Sequence, residues 1–121
     1  MITFKKVKVC FLLIFVFVNI FYIAPCYSLS LREDLFKNAL DLSSTGKFNL
    51  ALQEWDRYLD SYPDDAAGLS NRGNVKLVIG DIEGSIDDQN KAISLNPSEI
   101  DPYINRGIAE EALGQWSQAK R

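Results

Sequence analysis

The sequence predicts an all-α protein in which antiparallel helix-turn-helix repeats of 34 residues stack as an α-solenoid. Three observations predict this fold. Gly46, Gly80 and Gly114 recur at one interval, Pro63 and Pro97 are separated by the same interval, and the apolar residues between them lie about one helical turn apart. With 121 residues, 47% of them hydrophobic, the chain has the size and composition of one small globular domain.

Residues 1–28 predict an export signal. Three lysines precede an apolar stretch at 9–24, and Pro25 with the small residues after it is typical of a cleavage region that ends at Ser28. Sixteen helical residues span about 24 Å, less than the ~30 Å hydrocarbon core, so a cleaved signal is favoured. Two alternatives stay open: a single-pass membrane anchor through residues 9–24, and an ordinary buried helix or strand. We therefore expect an exported protein, in the periplasm, in an organelle lumen or secreted.

An enzyme, a metal site and a nucleic-acid partner are not expected. The sequence has no histidine, and both cysteines, Cys10 and Cys26, precede the chain that would begin at Leu29 after cleavage. All 16 acidic residues lie beyond residue 28, and a surface with this excess of negative charge repels phosphate backbones. Adjacent acids on a helix point about 100° apart, so we interpret the acid pairs as solvated, with the first also suited to a turn and helix cap. These pairs are 64–65, 87–88 and 110–111. We predict no enzymatic activity, no cofactor and no metal.

Each repeat predicts two helices separated by a tight turn. In the second unit, 66–99, Gly80 fits the left-handed position that ends a first helix, and Pro97 ends the second helix because proline lacks the helical N–H. The first unit is 31–65, and the third, 100–121, contains 22 of the 34 residues of a full repeat. The apolar positions of the second unit are Leu69, Leu77 and Val78 in its first helix and Ile82, Ile86, Ile93 and Leu95 in its second.

The third unit is incomplete. We expect a turn at Gly114 followed by the start of a second helix at Trp116, which is too short to cover the inner face of the helix before it. Two interpretations follow. The sequence is a fragment of a longer array, which is favoured, or its open C-terminal edge meets a second copy or another subunit.

This pattern resembles the tetratricopeptide repeat. The family has a large residue at position 4, small residues at 8, 20 and 27, glycine at 15 and proline at 32. In the second unit the residues at these positions are Leu69, Gly73, Ser85, Ala92, Gly80 and Pro97. Gln89 lies where the family prefers an aromatic residue, as Trp55 does in the first unit, and we expect this departure to soften the packing locally. The resemblance covers 32–121 and implies about two and two-thirds repeats of an α-solenoid that acts as a protein-binding scaffold.

The resemblance also implies that the first helices of the repeats line a groove for an extended peptide. Asn71 and Asn105 recur at equivalent positions, and an amide side chain can pair with a peptide unit because it has both a donor and an acceptor. The alternative, that these asparagines are solvated or cap local backbone, stays open. The groove residues predicted in this way are Ser70, Asn71, Asn74, Ile104, Asn105 and Ile108, with Leu40, Ser43, Ser44 and Val78 at matching positions.

A clamp for a terminal carboxylate is not expected. Chaperone-binding members of the family hold that group with lysine, arginine and asparagine side chains, and only Asn71 matches this set. The other clamp positions are occupied by Phe36, Leu40, Asp101 and Asn105, which supply no cation.

Two arginines also recur one repeat apart. Arg72 and Arg106 could bind an anion, but their position usually faces a neighbouring helix. We therefore favour the interpretation that their stems pack while each guanidinium reaches an acid or a carbonyl.

Two classes of function remain. The first is a non-enzymatic scaffold in an exported compartment, which binds an extended segment of another protein in the groove. The alternative is an assembly subunit whose open C-terminal edge stacks on another subunit or on a membrane complex, with self-association at that edge.

Overall fold

The computed structural model describes residue 29 and residues 31–119, and within them every regular element is an α-helix. The helices are α1 at 31–44, α2 Phe48–Ser61, α3 Ala66–Val78, α4 Ile82–Leu95 and α5 Asp101–Ala119. The predicted all-α fold of helix-turn-helix repeats is confirmed. The export signal and anchor predicted at 1–28 lie outside the described residues. No described helix is long and apolar enough to cross a bilayer.

The turns between paired helices depend on glycine. Gly46 after α1 has φ of +74° and Gly80 after α3 has φ of +92°, a left-handed conformation that glycine adopts without a Cβ penalty. Asp65 directly precedes the second repeat, and its side chain accepts from the Gly68 N–H at 2.7 Å and caps α3. The turn predicted at Gly80 and the cap predicted at Asp65 are therefore confirmed.

The third repeat differs from the prediction because α5 continues through Gly114 to Ala119 as one helix. The expected turn at Gly114 and the separate helix from Trp116 are wrong for this structure. A left-handed turn is stabilised by the packing of the helix that follows it. Within the described residues no helix follows α5 to stabilise such a turn, and Gly114 does not adopt the positive φ of Gly46 and Gly80. The helical hydrogen bonds of α5 therefore continue through it.

The chain divides into two compact units between Asp34 and Leu35, and the second unit holds α2 to α5 with the rest of α1. Its core contains an aromatic cluster between α1 and α2. Phe36 lies edge-on to Trp55 and Tyr58 with ring centroids 5.0 and 5.3 Å apart, which adds quadrupolar attraction to apolar burial. Small and aliphatic residues complete this core, namely Leu35, Ala39, Ala51, Leu59, Leu69, Val75 and Ala92.

Arg72 joins three helices through two acids. Its Nε and Nη2 donate to the two carboxylate oxygens of Asp88 on α4 at 2.8 and 2.7 Å, and its Nη1 donates to Asp56 on α2 at 2.9 Å. The hydrogen bond with Asp88 raises the pKa of Arg72 above its ordinary value. The interpretation that this guanidinium reaches an acid is confirmed. The prediction that the pair 87–88 is solvated is wrong for Asp88, which is buried and also pairs with Lys76 at 2.9 Å.

The second arginine repeats half of this arrangement. Arg106 Nη1 donates to Asn90 Oδ1 at 2.8 Å, and Asn90 lies one repeat after Asp56. The two arginines therefore link a first helix to the second helix of the preceding repeat in the same way, and they tie the stack together across its helix pairs.

Candidate functional site

The first helices of the repeats, α1, α3 and α5, form the walls of two adjacent cavities. The smaller, about 110 Å³, lies between α3 and α5, and the larger, about 290 Å³, lies between α1 and α3. Asn71 and Asn74 line both, so the two cavities form one groove across the first helices. The smaller cavity is lined by Ala66, Ala67, Ser70, Asn71, Asn74, Glu99, Asp101, Pro102 and Asn105.

The structure brings four of the six predicted groove residues together. Ser70, Asn71, Asn74 and Asn105 all line the smaller cavity, with Ser70 buried beneath it. Ile104 and Ile108 line neither cavity. They are 55% and 52% exposed on α5, beyond the amide cluster. Their part in ligand binding stays a prediction.

Two asparagines offer acceptors to the groove. Asn71 Nδ2 donates to the Ala67 carbonyl at 2.9 Å, and Asn105 Nδ2 donates to Ser70 Oγ at 3.2 Å. Among the described residues the Oδ1 of each has no hydrogen-bond partner. Asn71 thus caps its own helix backbone, as the alternative interpretation held, whereas Asn105 donates across from α5 to α3. The acceptor of each side chain is left open to the groove.

Asn74 has the opposite polarity because of Gln89 on α4. Gln89 Nε2 donates to the Ser70 carbonyl at 3.0 Å and to Asn74 Oδ1 at 3.2 Å. The oxygen of Asn74 is therefore occupied, and its Nδ2 is left as a donor. Sequence reasoning missed this contact. The signal was present in the sequence as a glutamine at a position that prefers an aromatic residue.

The larger cavity is mainly apolar. Leu40, Phe48, Val75 and Val78 line it, and Leu40 and Val78 are more than two-fifths exposed. Its polar edge includes Ser43, whose Oγ is held by the Trp55 Nε1–H at 3.0 Å. This cavity suits an aliphatic or aromatic side chain beside the amide cluster.

Sequence comparisons find similar known proteins. No family model matches the chain. Human sperm-associated antigen 1 is 31% identical over 88 residues, and the TPR repeat-containing thioredoxin TDX of Arabidopsis thaliana is 30% identical over 81 residues. These alignments cover 72% and 67% of this chain but 10% and 21% of the two relatives, so the chain spans only a small part of their length.

Solved structures agree in fold. The first TPR of Spaghetti (RPAP3), bound to the HSP90 peptide SRMEEVD, superposes with a TM-score of 0.66 at 25% identity, covering 74% of this chain and 71% of that one. The TPR2B domain of yeast Sti1, in a pHsp70 complex, gives 0.67 at 24% identity and covers 73% and 70%. The chain is built from tetratricopeptide repeats.

The charges along this tetratricopeptide groove are negative. Glu99 and Asp101 line the smaller cavity at its α5 end, and within the described part of the chain no lysine or arginine lines either cavity. The structure therefore provides no cationic clamp in either cavity. The described residues also contain no cluster of side chains that could hold a metal ion.

Proposed function

We propose that this protein is a non-enzymatic scaffold that binds an extended segment of another protein across α1, α3 and α5. The observation that carries the proposal is the row of amides beside an apolar cavity. Asn71 and Asn105 offer acceptors and Asn74 offers a donor, and a peptide backbone needs both. Because these groups address the backbone, they hold an extended segment without reading its sequence, and the cavity beside Leu40 and Val78 selects an apolar side chain.

The negative charge of the groove disfavours an acidic peptide segment as the ligand. In one of the similar solved structures, the first TPR of Spaghetti holds an acidic peptide, SRMEEVD. Here Glu99 and Asp101 would repel such a tail, and no cation compensates within the described groove. We propose that this chain binds an internal segment that is neutral or basic rather than an acidic C-terminus.

Peptide selection tests this function. The purified protein is panned against a phage-displayed library of random heptapeptides, and the best binder is measured by fluorescence anisotropy beside SRMEEVD. We expect a neutral or basic apolar peptide to bind and SRMEEVD to bind more weakly. Tighter binding of SRMEEVD would contradict the charge argument, and failure to select any peptide would contradict the scaffold.

The asparagines provide the first testable prediction. Asn71→Ala with Asn105→Ala removes two acceptors and should weaken binding of the selected peptide by about 1–3 kcal/mol, which is a factor of about 5 to 150 in affinity. Helical content by circular dichroism should stay unchanged, because each side chain makes a single hydrogen bond and neither bond belongs to a helix's backbone ladder. Asn49→Ala on the exposed surface of α2 is the matched control. Undiminished affinity in the double variant would show that these two asparagines do not bind the peptide.

We also propose that the scaffold acts in an exported compartment, on the strength of the basic and apolar pattern at 1–28. Expression of the full chain, followed by fractionation and N-terminal sequencing of the exported product, tests this. A product beginning at Leu29 supports a cleaved signal, and an uncleaved chain in the membrane fraction supports the anchor. A full-length chain that stays in the cytosolic fraction contradicts both.

A second candidate function is self-assembly at the edge beside α5. A cavity of about 450 Å³ lies between the α3–α4 turn and Leu113, and Ile79 in that turn is 40% exposed. We propose that a second copy of this chain would cover it. Light scattering over a range of concentrations should then show a rising mass that Ile79→Asp abolishes. A constant monomer mass would eliminate assembly.

A further inference from the structure

Gln89 is an amide in the interior of the protein. Its side chain is 0% exposed, and it lies on α4 at the place that Trp55, also 0% exposed, takes on α2 one repeat earlier. An apolar side chain at this position would fill the interior without a hydrogen-bonding requirement. The presence of glutamine at this buried position is therefore explained by the groups to which its amide is hydrogen-bonded, and not by packing alone.

The hydrogen bonds of Gln89 have only one possible orientation. The Ser70 carbonyl can only accept, so the group that faces it at 3.0 Å must be the Gln89 amide nitrogen. The same nitrogen faces Asn74 at 3.2 Å, and that contact is attractive only when Asn74 presents Oδ1. A backbone carbonyl thus determines the orientation of two successive side-chain amides.

The packing around Gln89 leaves room for this arrangement. Gly73 on α3 lies opposite, and a Cβ at that position would come within 2.8 Å of Gln89 Nε2. The other end of the amide is less satisfied, because within the described residues Gln89 Oε1 is buried and has no hydrogen-bond partner. The Gln89 side chain therefore makes its contact with Asn74 at the cost of burying its own carbonyl oxygen without a hydrogen bond.

We propose that Gln89 is a positioning residue for the peptide groove: from the interior, it holds Asn74 with Nδ2 directed to the ligand. The inference rests on the proposed function. It implies that the groove presents the donor of Asn74 beside the acceptors of Asn71 and Asn105, and an extended peptide offers both N–H and C=O groups to such a set. Without Gln89, the Asn74 amide would rotate freely and its donor would be lost for part of the time.

A double-mutant cycle with Gln89→Met and Asn74→Ala tests the coupling. The probe is the heptapeptide selected from the phage library. Gln89→Met should lower its affinity about threefold to tenfold, the effect of one hydrogen bond. Asn74→Ala should lower it by a similar factor, and the double variant should lose no more than either single change. Additive losses, or unchanged affinity in Gln89→Met, would overturn the proposal.

Control variants separate positioning from packing. Ser85→Ala removes another buried and unpartnered polar group from α4, one turn before Gln89, and should leave affinity unchanged. The melting temperature of Gln89→Met should equal or exceed that of the parent protein, because the substitution removes a buried carbonyl oxygen that has no hydrogen-bond partner. Gln89→Leu, a second apolar replacement, is used if the methionine variant does not fold. An equal loss of affinity in Ser85→Ala would show that the effect is a general response to α4 packing.

The orientation of Asn74 can also be measured without any peptide. In the parent protein its side-chain NH₂ protons should be free of contact with Gln89, and nuclear Overhauser contacts should link only the Gln89 NH₂ to the backbone near Ser70. In Gln89→Met the Asn74 NH₂ signals should shift and broaden as the amide samples both orientations. If no peptide binds at all, the proposed function fails while this measurement still decides the positioning. Unchanged Asn74 signals would overturn it.

Discussion

Alanine at Gly73 should destabilise the protein, whereas alanine at Gly107 should stabilise it. Both glycines lie inside a helix and follow the same Asn-Arg pair, one repeat apart. An added Cβ at Gly73 would lie 2.8 Å from Gln89 Nε2, and 3.2 Å from both Asp88 Cβ and the Ser85 carbonyl oxygen. At Gly107, apart from its chain neighbours and the nearby backbone of α5, no atom of the described residues comes within 4 Å of the added carbon. The two substitutions are therefore chemically identical and differ only in what packs against the helix.

The magnitude follows from two opposing effects. Replacing glycine by alanine inside a helix stabilises it by about 0.5–1 kcal/mol, and Gly107→Ala should show this gain in full. At Gly73 the glutamine amide can move, but the Ser85 carbonyl belongs to the α4 backbone, so the two helices must separate by a few tenths of an ångström. Overpacking of this kind costs about 1–3 kcal/mol. We expect the free energies of unfolding of the two variants to differ by about 1–3 kcal/mol.

Thermal and urea denaturation, followed by circular dichroism, measure this difference. In a domain of this size 1 kcal/mol corresponds to about 4–8 °C, so Gly107→Ala should melt at least ~4 °C above Gly73→Ala. Equal melting temperatures, or a higher one for Gly73→Ala, would refute the close packing of α3 on α4. The parent protein should lie between the two variants.

Two further predictions compare aspartates that look alike in the sequence. Asp88→Ala should lower the free energy of unfolding by about 2–3 kcal/mol, because it leaves Arg72 and Lys76 without their shared carboxylate. Asp87→Ala, at the exposed neighbouring residue, should change the free energy of unfolding by less than about 0.5 kcal/mol. Equal losses in urea denaturation would contradict the buried ion pair. Asp65→Ala should lower the free energy of unfolding by about 1–2 kcal/mol, and Asp81→Ala should lower it by about 0.5–1 kcal/mol. Both aspartates cap a helix, but Asp65 also accepts a hydrogen bond from the Tyr58 hydroxyl at 2.8 Å. Thermal melts that rank the two caps in reverse would show that the tyrosine contact does not stabilise α3.

Much of the fold could be predicted because its signals are local. Gly80 ends α3 through its own backbone conformation, and Asp65 caps α3 through a residue three positions away. Gly114 was predicted in the same way and does not break α5, because a turn of this kind also needs a following helix with enough residues to pack. The third repeat shows the limit of reasoning from a recurring position.

The candidate site was predicted only in outline. The recurrence of Asn71 and Asn105 located the groove, and the structure places both in one cavity. The polarity of each amide could not be predicted, because it depends on hydrogen bonds between helices. Gln89 was expected to soften the packing, and instead it is fully buried and bonded to Asn74.

The amino-acid sequence by itself determined the repeat length, the helix pairs and the turns between them, because residues close together in the chain produce these features through backbone conformation and periodicity. Only the tertiary structure decided between chemically identical residues: Asp88 is buried while Asp87 is exposed, and Gly73 is packed while Gly107 is open. The physical reason is that burial and hydrogen-bond direction are set by whichever helix lies alongside, and that neighbour comes from a different part of the chain.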